Sequence, residues 1–292
     1  MVKKKYIIHD IVRVIATILV IVGHSNYINF QTKYGGTNLN FQNFSPFYKV
    51  LNGIVGIIYT FHMPLFFFLS GALLFLSLEH EENFRDFFIK KFKRLIYPFV
   101  LVTIFYVFPL KYLSNYYLKS NSILRDFIYG QFLLLGSNHL WFLVALFQII
   151  IYIYIIEKLL KLNLKLKIVL VVVLYAISEY LKYDGFVVLR AIKDIIWVYL
   201  GYFYQQNYYK INKIINKSGA KLLILSILAY IICFILPKYS IIKTPNLLLA
   251  FLGIEITYIF IELYLVKIKI FENRYLKIIL KYSFIVYFIL IQ

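Results

Sequence analysis

The sequence predicts an all-α fold, a polytopic transmembrane bundle of about nine or ten spans with a cytoplasmic amino terminus, and three observations predict it. The first is composition: 62% of the 292 residues are hydrophobic and 15% charged, whereas a water-soluble domain sits nearer half and a quarter. The second is segmentation, because apolar stretches of about 20 residues, enough to cross a hydrocarbon core of about 30 Å as a helix, recur along the chain. The third is the placing of charge. Lys and Arg number 32 against 13 Asp and Glu, and the basic residues crowd into alternate gaps between the stretches. A net charge of +19 also suits nucleic-acid binding, but a charge excess sorted onto one side of successive spans is a topology signal, and nucleic acid is not needed as a partner.

Nine stretches qualify, at residues 7–29, 50–77, 95–113, 138–157, 167–183, 187–206, 220–236, 246–266 and 275–292. A tenth apolar piece, FIYGQFLLL at 127–135, is too short to cross and reads as re-entrant or interfacial. The gaps on one side hold Lys3 to Lys5, the run Arg85 to Arg94, Lys158 to Lys167, Lys210 to Lys221 and Lys267 to Lys281. They carry about two-thirds of the basic residues, which makes that side, with the amino terminus, cytoplasmic. Tyr97, Tyr112, Tyr116, Tyr117, Tyr208 and Tyr209 fall near span ends, as interfacial anchors do. The amino-terminal MVKKKYIIHD begins like a signal peptide, but Asp10 and Arg13 interrupt the apolar run and no small-residue cleavage site follows His24, so it is a retained first span. The one cysteine, Cys233, lies in an apolar run and reads as packing; there is no intramolecular disulfide and no cysteine metal cluster. No gap is long enough for a separate soluble domain, so residues 1–292 read as a single membrane domain whose chemistry is done in or beside the helices. No inverted repeat of the transporter kind is visible.

Ionisable groups inside spans are costly and face cavities or partners, so they carry the functional signal. In the first span, HDIVRVIATILVIVGH, Arg13 and His24 are eleven residues apart, about 1100° of rotation, which leaves them within about 20° of one face and about 16 Å apart along the axis. Asp10, three residues before Arg13, lies within pairing distance. The bland reading has Arg13 snorkelling and His24 capping a helix end. The functional reading has the imidazole as general base toward a hydroxyl and the guanidinium holding a phosphate or carboxylate. The second span, FHMPLFFFLSGALLF, puts His62 before Pro64, which interrupts the helix ladder, and Ser70-Gly71 where another backbone can approach. In FFIKKFKRLIYPF, the residues Lys90, Lys91, Lys93 and Arg94 stand at the cytoplasmic mouth of the third span, either as topogenic charge against anionic lipid or as a patch for a polyphosphate cofactor. SNHLWFLVALF sets His139 and Trp141 at the outer end of the fourth span. In the eighth, Glu255 and Glu262 are seven apart, about 20° short of two turns, and share a face. Glu179 and the Arg190/Asp194 pair lie near outer ends, where solvation is cheaper, and signal less.

Four of these places together resemble the integral-membrane acyltransferase 3 proteins, fucose 4-O-acetylase-like enzymes that O-acylate sugars of cell-envelope glycans, lipid-linked carbohydrates and some small molecules. Asp10, Arg13 and His24 look like the family's arginine, ten residues, histidine signature; FHMPLFFFLSG at 61–71 looks like its second-helix motif. KFKRLIYPF at 91–99 resembles its basic pair before a proline, HLWFL at 139–143 its fourth-helix motif, and KYSFIVYFILIQ its last helix. Val14 stands where a glycine commonly follows the arginine, and the basic pair is Lys91 and Arg94 instead of two arginines. The resemblance implies roughly ten helices in the plasma or inner membrane, a cytoplasmic acyl-coenzyme A donor, acetyl-CoA foremost, and transfer to a hydroxyl toward the outer side. On this chain it implies His24 as the catalytic histidine with Arg13 and Asp10, Arg13 also at the donor site, and Lys90, Lys91 and Arg94 as donor-binding cations. His62, His139, Trp141 and Glu255 are expected to contact the acceptor. No metal is implied, and the chain is expected to act without an attached esterase-like domain, beside membrane lipids and glycan-assembly partners.

A different class fits the intramembrane charges equally well: a flippase or exporter of a glycan or lipid-linked sugar, which does no acyl transfer. It does not need His and Arg at this spacing, nor a basic cytoplasmic cluster. A catalytically dead scaffold is a third class, made less attractive by an intact His24.

Overall fold

The computed structural model describes residues 2–24, 30–32, 35–37, 46–79, 83–114, 122–135, 140–160, 162–181, 187–235 and 246–267. Among them the chain folds as ten α-helices: α1 Val2–His24, α2 Pro46–Leu78, α3 Phe84–Val102, α4 Phe108–Leu113, α5 Ile123–Phe127, α6 Trp141–Tyr154, α7 Leu164–Tyr180, α8 Val188–Gln206, α9 Tyr208–Ile235 and α10 Asn246–Leu263. A short antiparallel ribbon, Phe30–Thr32 with Gly35–Thr37, is the only extended structure among the described residues, and the fold class is all-α as expected.

Five segments are long and apolar enough to cross a membrane: Val50–Leu78, Phe84–Leu113, Trp141–Leu159, Tyr208–Ile235 and Leu247–Lys267. They coincide with the expected second, third, fourth, seventh and eighth spans. The described parts of stretches 7–29, 167–183 and 187–206 lie in α1, α7 and α8; α7 has 17 residues, and α8 carries Arg190, Lys193 and Asp194. The stretch 275–292 lies outside the described residues. The piece at 127–135 is the end of α5 running into a π-turn, Ile128–Phe132, too short to cross. The outer surfaces are those of a lipid-facing protein. On α9, Ile224, Leu225, Leu228, Ile231 and Ile232 are all exposed, a contiguous apolar stripe that water would drive into aggregation and hydrocarbon accommodates.

Two helix starts differ from the expectation. The third span begins at Phe84, not near residue 95, because Asn83 caps it: its Oδ1 accepts the Arg85 N–H at 3.1 Å, and Asp86 in the first turn complements the helix dipole. The seventh span begins at Tyr208, not near 220, since the Lys-rich run read as a loop carries a buried face, Tyr208, Ile215, Gly219 and Leu223, at helical spacing. A π-turn at Thr103–Val107 joins α3 to α4 just ahead of Pro109, which has no N–H for the ladder, and the three pieces make one span.

The helices sort into two compact units. The first contains α1, α2 up to Phe75, the last residues of α8, and α9 with α10; the second contains the end of α2, α3 to α7 and most of α8. In the first unit α9 and α10 form a close hairpin whose core is Ile215, Leu223 and Ile259 at one level and Tyr230, Leu249 and Leu252 at another, with Cys233 packed against the latter as read from sequence. Small residues set the close approaches there. A Cβ on Gly201 of α8 would run into the Phe68 carbonyl of α2, backbone against backbone, and one on Gly253 would stand 2.5 Å from the Phe61 side chain. In the second unit the fully buried Phe87 of α3 packs its ring 4.6 Å from Tyr154 of α6. Below it, Glu157 receives Lys167 of α7 at 2.7 Å on one oxygen and a short bond from the Tyr199 hydroxyl of α8 on the other, tying three helices through one carboxylate.

Candidate functional site

Helix α1 is unbroken from Val2 to His24, so the eleven residues from Arg13 to His24 span the stripe anticipated from sequence. Its packed face is Ile8, Ile11, Val12, Ala16 and Val20, all at or near zero exposure. Arg13 donates from Nη1 to Asp10 Oδ1 at 3.3 Å, and their side chains stay 31% and 45% exposed, a loose pair able to turn toward a ligand. The Arg13 carbonyl accepts from Thr17 Oγ1 at 2.9 Å. His9, one turn before Arg13, is 1% exposed and its Nε2 lies 3.0 Å from Gln205 Oε1 of α8; since a carbonyl-type oxygen only accepts, the imidazole donates. His9 was not singled out from sequence, although it opens the same HDIVR segment.

His24 is the last residue of α1, and its side chain lies outside the described residues. Its neighbour Gly23 fixes where that end sits: a Cβ there would meet Ile58 and Tyr59 of α2 at 3.4 and 3.5 Å. The Tyr59 ring in turn stands edge-on to the His62 imidazole, 4.9 Å between centroids. The structure thus brings the backbone end of α1 against the turn of α2 that carries His62. His62 is buried and uses Nδ1 on the Ile58 carbonyl at 3.0 Å, in the turn before Pro64; α2 runs continuously through that proline.

The basic cluster lies on the first three turns of α3. Lys90, Lys93 and Arg94 are exposed at i, i+3 and i+4, hence one stripe. Lys91 leaves that stripe: its Nζ donates to Ser77 Oγ at 3.1 Å and sits 5.1 Å over the Phe87 ring, so part of its role is to fix α3 to the last turn of α2.

Of the other sequence candidates, His139 lies outside the described residues. Trp141 opens α6, half-buried, with the Arg190 guanidinium of α8 5.4 Å over its ring. Glu255 is half-buried on α10 and hydrogen-bonds to Ser226 of α9, while Glu262, two turns on, is 3% exposed. Sequence reasoning missed Glu157, whose partners are ten and forty-two residues away, and a buried tyrosine group around Glu262. The only available signal for the latter was that Tyr258 falls inside a helix, not at an end where anchoring tyrosines belong.

A family model described as an acyltransferase domain, the acyltransferase 3 type, matches residues 7–290, nearly the whole chain. No curated protein and no solved structure matches the chain significantly.

Proposed function

The chain belongs to the acyltransferase 3 family and is a multi-pass membrane acyltransferase, and from that premise we propose that it is an O-acyltransferase moving an acyl group, acetyl in the first instance, from cytoplasmic acyl-coenzyme A to a hydroxyl of a carbohydrate or lipid-linked glycan of the cell envelope. The observation that carries this reading is the order and spacing of Asp10, Arg13 and His24 on one continuous helix within the matched region.

In this reading the His24 imidazole takes the proton of the acceptor hydroxyl. The oxygen attacks the thioester carbonyl, the carbon–sulfur bond breaks, and the proton returns from His24 to the departing thiolate, leaving an ester and free coenzyme A with no net proton change. Arg13 holds the donor and offsets negative charge as it develops, and Asp10 orients the guanidinium. Lys90, Lys91 and Arg94 contact the donor phosphates, which suit both a guanidinium fork and ammonium groups. On the acceptor side, the Trp141 ring offers an apolar face with a polar edge to a sugar, and His62, His139 and Glu255 supply polar contacts. The membrane is the plasma or inner membrane, with the amino terminus cytoplasmic.

The test uses membranes with and without the chain, supplied with isotopically labelled acetyl-CoA, followed by mass spectrometry of the envelope glycans. The expected result is a labelled acetyl increment on a glycan only where the chain is present. An unlabelled glycan pool of unchanged mass, with glycan crossing the membrane when the chain is present, would instead establish the exporter reading.

A further inference from the structure

The helix that carries Asp10, Arg13 and His24 is fixed at two levels, and by different means. Toward its outer end, Gly23 lets α1 come against Ile58 and Tyr59 of α2. Toward the inner end the fixing is polar. His9 of α1 and Gln205 of α8, each 1% exposed, share a hydrogen bond of 3.0 Å from Nε2 to Oε1. Gln205 is itself firmly mounted, for it stands one turn past Gly201, where the backbones of α8 and α2 meet. In the same turn the Tyr202 and Tyr204 rings pack against Phe75 and Phe68 of α2, 5.1 and 5.5 Å between centroids.

Stability is a poor reason for the pair. A buried imidazole and a buried amide carry desolvation costs that one hydrogen bond offsets only in part, and Nε2 of Gln205 makes no hydrogen bond among the described residues. Two apolar side chains of similar size would pack α1 on α8 at lower cost. What they could not supply is direction. The rest of the buried face, Ile8, Ile11, Val12, Ala16 and Val20, is aliphatic. Such a face holds a neighbour closely but tolerates small turns and slides, because apolar contacts fix volume before they fix a unique arrangement. A hydrogen bond fixes an angle. Arg13 lies four residues beyond His9, about 40° further round the helix, and His24 fifteen beyond, about 60° round. The angle set at His9 therefore decides where both side chains point.

We propose that His9 is a positioning residue for the transfer reaction: through Gln205 it sets the rotation of α1, and with it the aim of Arg13 and His24. His9 itself touches neither donor nor acceptor. The proposal rests on the acyltransferase reading of α1, and it adds the second helix, α8, that holds the reactive stripe in place.

The experiment measures transfer of labelled acetyl from acetyl-CoA to envelope glycan by membranes matched for protein abundance, together with the melting midpoint in detergent. His9→Leu and Gln205→Leu each strand one polar group, and each is expected to lower the rate about tenfold or more, since a shift of about 1 Å at a reacting group costs on the order of a hundredfold. The double variant, with both partners apolar, is expected to melt at or above the wild-type midpoint and yet to transfer no faster than either single variant. His9→Gln, whose amide nitrogen can take the place of Nε2 and donate to the same oxygen, is expected to recover most of the rate. A double variant that transfers at the wild-type rate, or a His9→Gln protein no faster than His9→Leu, overturns the proposal and leaves the acyltransferase reading intact. A wild type that transfers no acetyl overturns both.

Discussion

Two of the carboxylate–cation pairs among the described residues, Asp10 with Arg13 and Glu157 with Lys167, are held in opposite ways. Asp10 and Arg13 share one helix, meet at 3.3 Å and keep 45% and 31% of their side-chain surface. Glu157 and Lys167 come from different segments, meet at 2.7 Å, retain 12% and 15%, and add the Tyr199 hydroxyl on the second carboxylate oxygen. A charge pair that is nearly desolvated and fully bonded is costly to break and has little capacity left for a ligand. One that is half-open and singly bonded adds little to stability and keeps donors available. The difference shows Glu157 fastening helices and leaves Arg13 with donors to spare, as the proposed role at the donor site requires.

The comparison can be broken most sharply at Arg13. Arg13→Ala is expected to lower acyl transfer by about a hundredfold or more while the protein's membrane abundance and melting midpoint stay at wild-type values; a matching fall in abundance would move Arg13 into the fastening class. Glu157→Ala is expected to do the reverse, costing about 3–5 kcal/mol by stranding Lys167 and Tyr199, read as a lowered melting midpoint in detergent. An unchanged midpoint would remove the fastening role. Gly201→Ala forces a Cβ onto the Phe68 carbonyl, and a loss of about 1–3 kcal/mol is expected by the same melting assay. The smallest stability effect belongs to Asp10→Asn, at most about 1 kcal/mol, so any loss of transfer rate in that variant reports on the orientation of Arg13 and not on folding.

Sequence carried the α2, α6 and α10 spans because their apolar runs are long and lightly charged, and it carried the continuity of α1 through Asp10 and Arg13 because no proline interrupts that run. It misplaced the starts of α3 and α9, where charged residues look like loops although Lys and Arg propagate a helix and extend their heads beyond the apolar zone. The role of Glu157 was hidden because its partners come from two other helices, and no spacing rule links residue 157 to 167 and 199. Lys91 was read as one of a basic pair, and only its contact with Ser77 and Phe87 separates it from Lys90, Lys93 and Arg94. The grouping of tyrosines around Glu262 was likewise hidden, since burial is a property of packing and not of order along the chain.

The central claim is that α1 presents a reactive stripe ending in a general base, and His24→Ala tests it most directly. The measurement is transfer of labelled acetyl from acetyl-CoA to envelope glycan by membranes matched for protein abundance. The account predicts loss of transfer with acetyl-CoA binding retained. Transfer at the wild-type rate in the His24→Ala protein would contradict it.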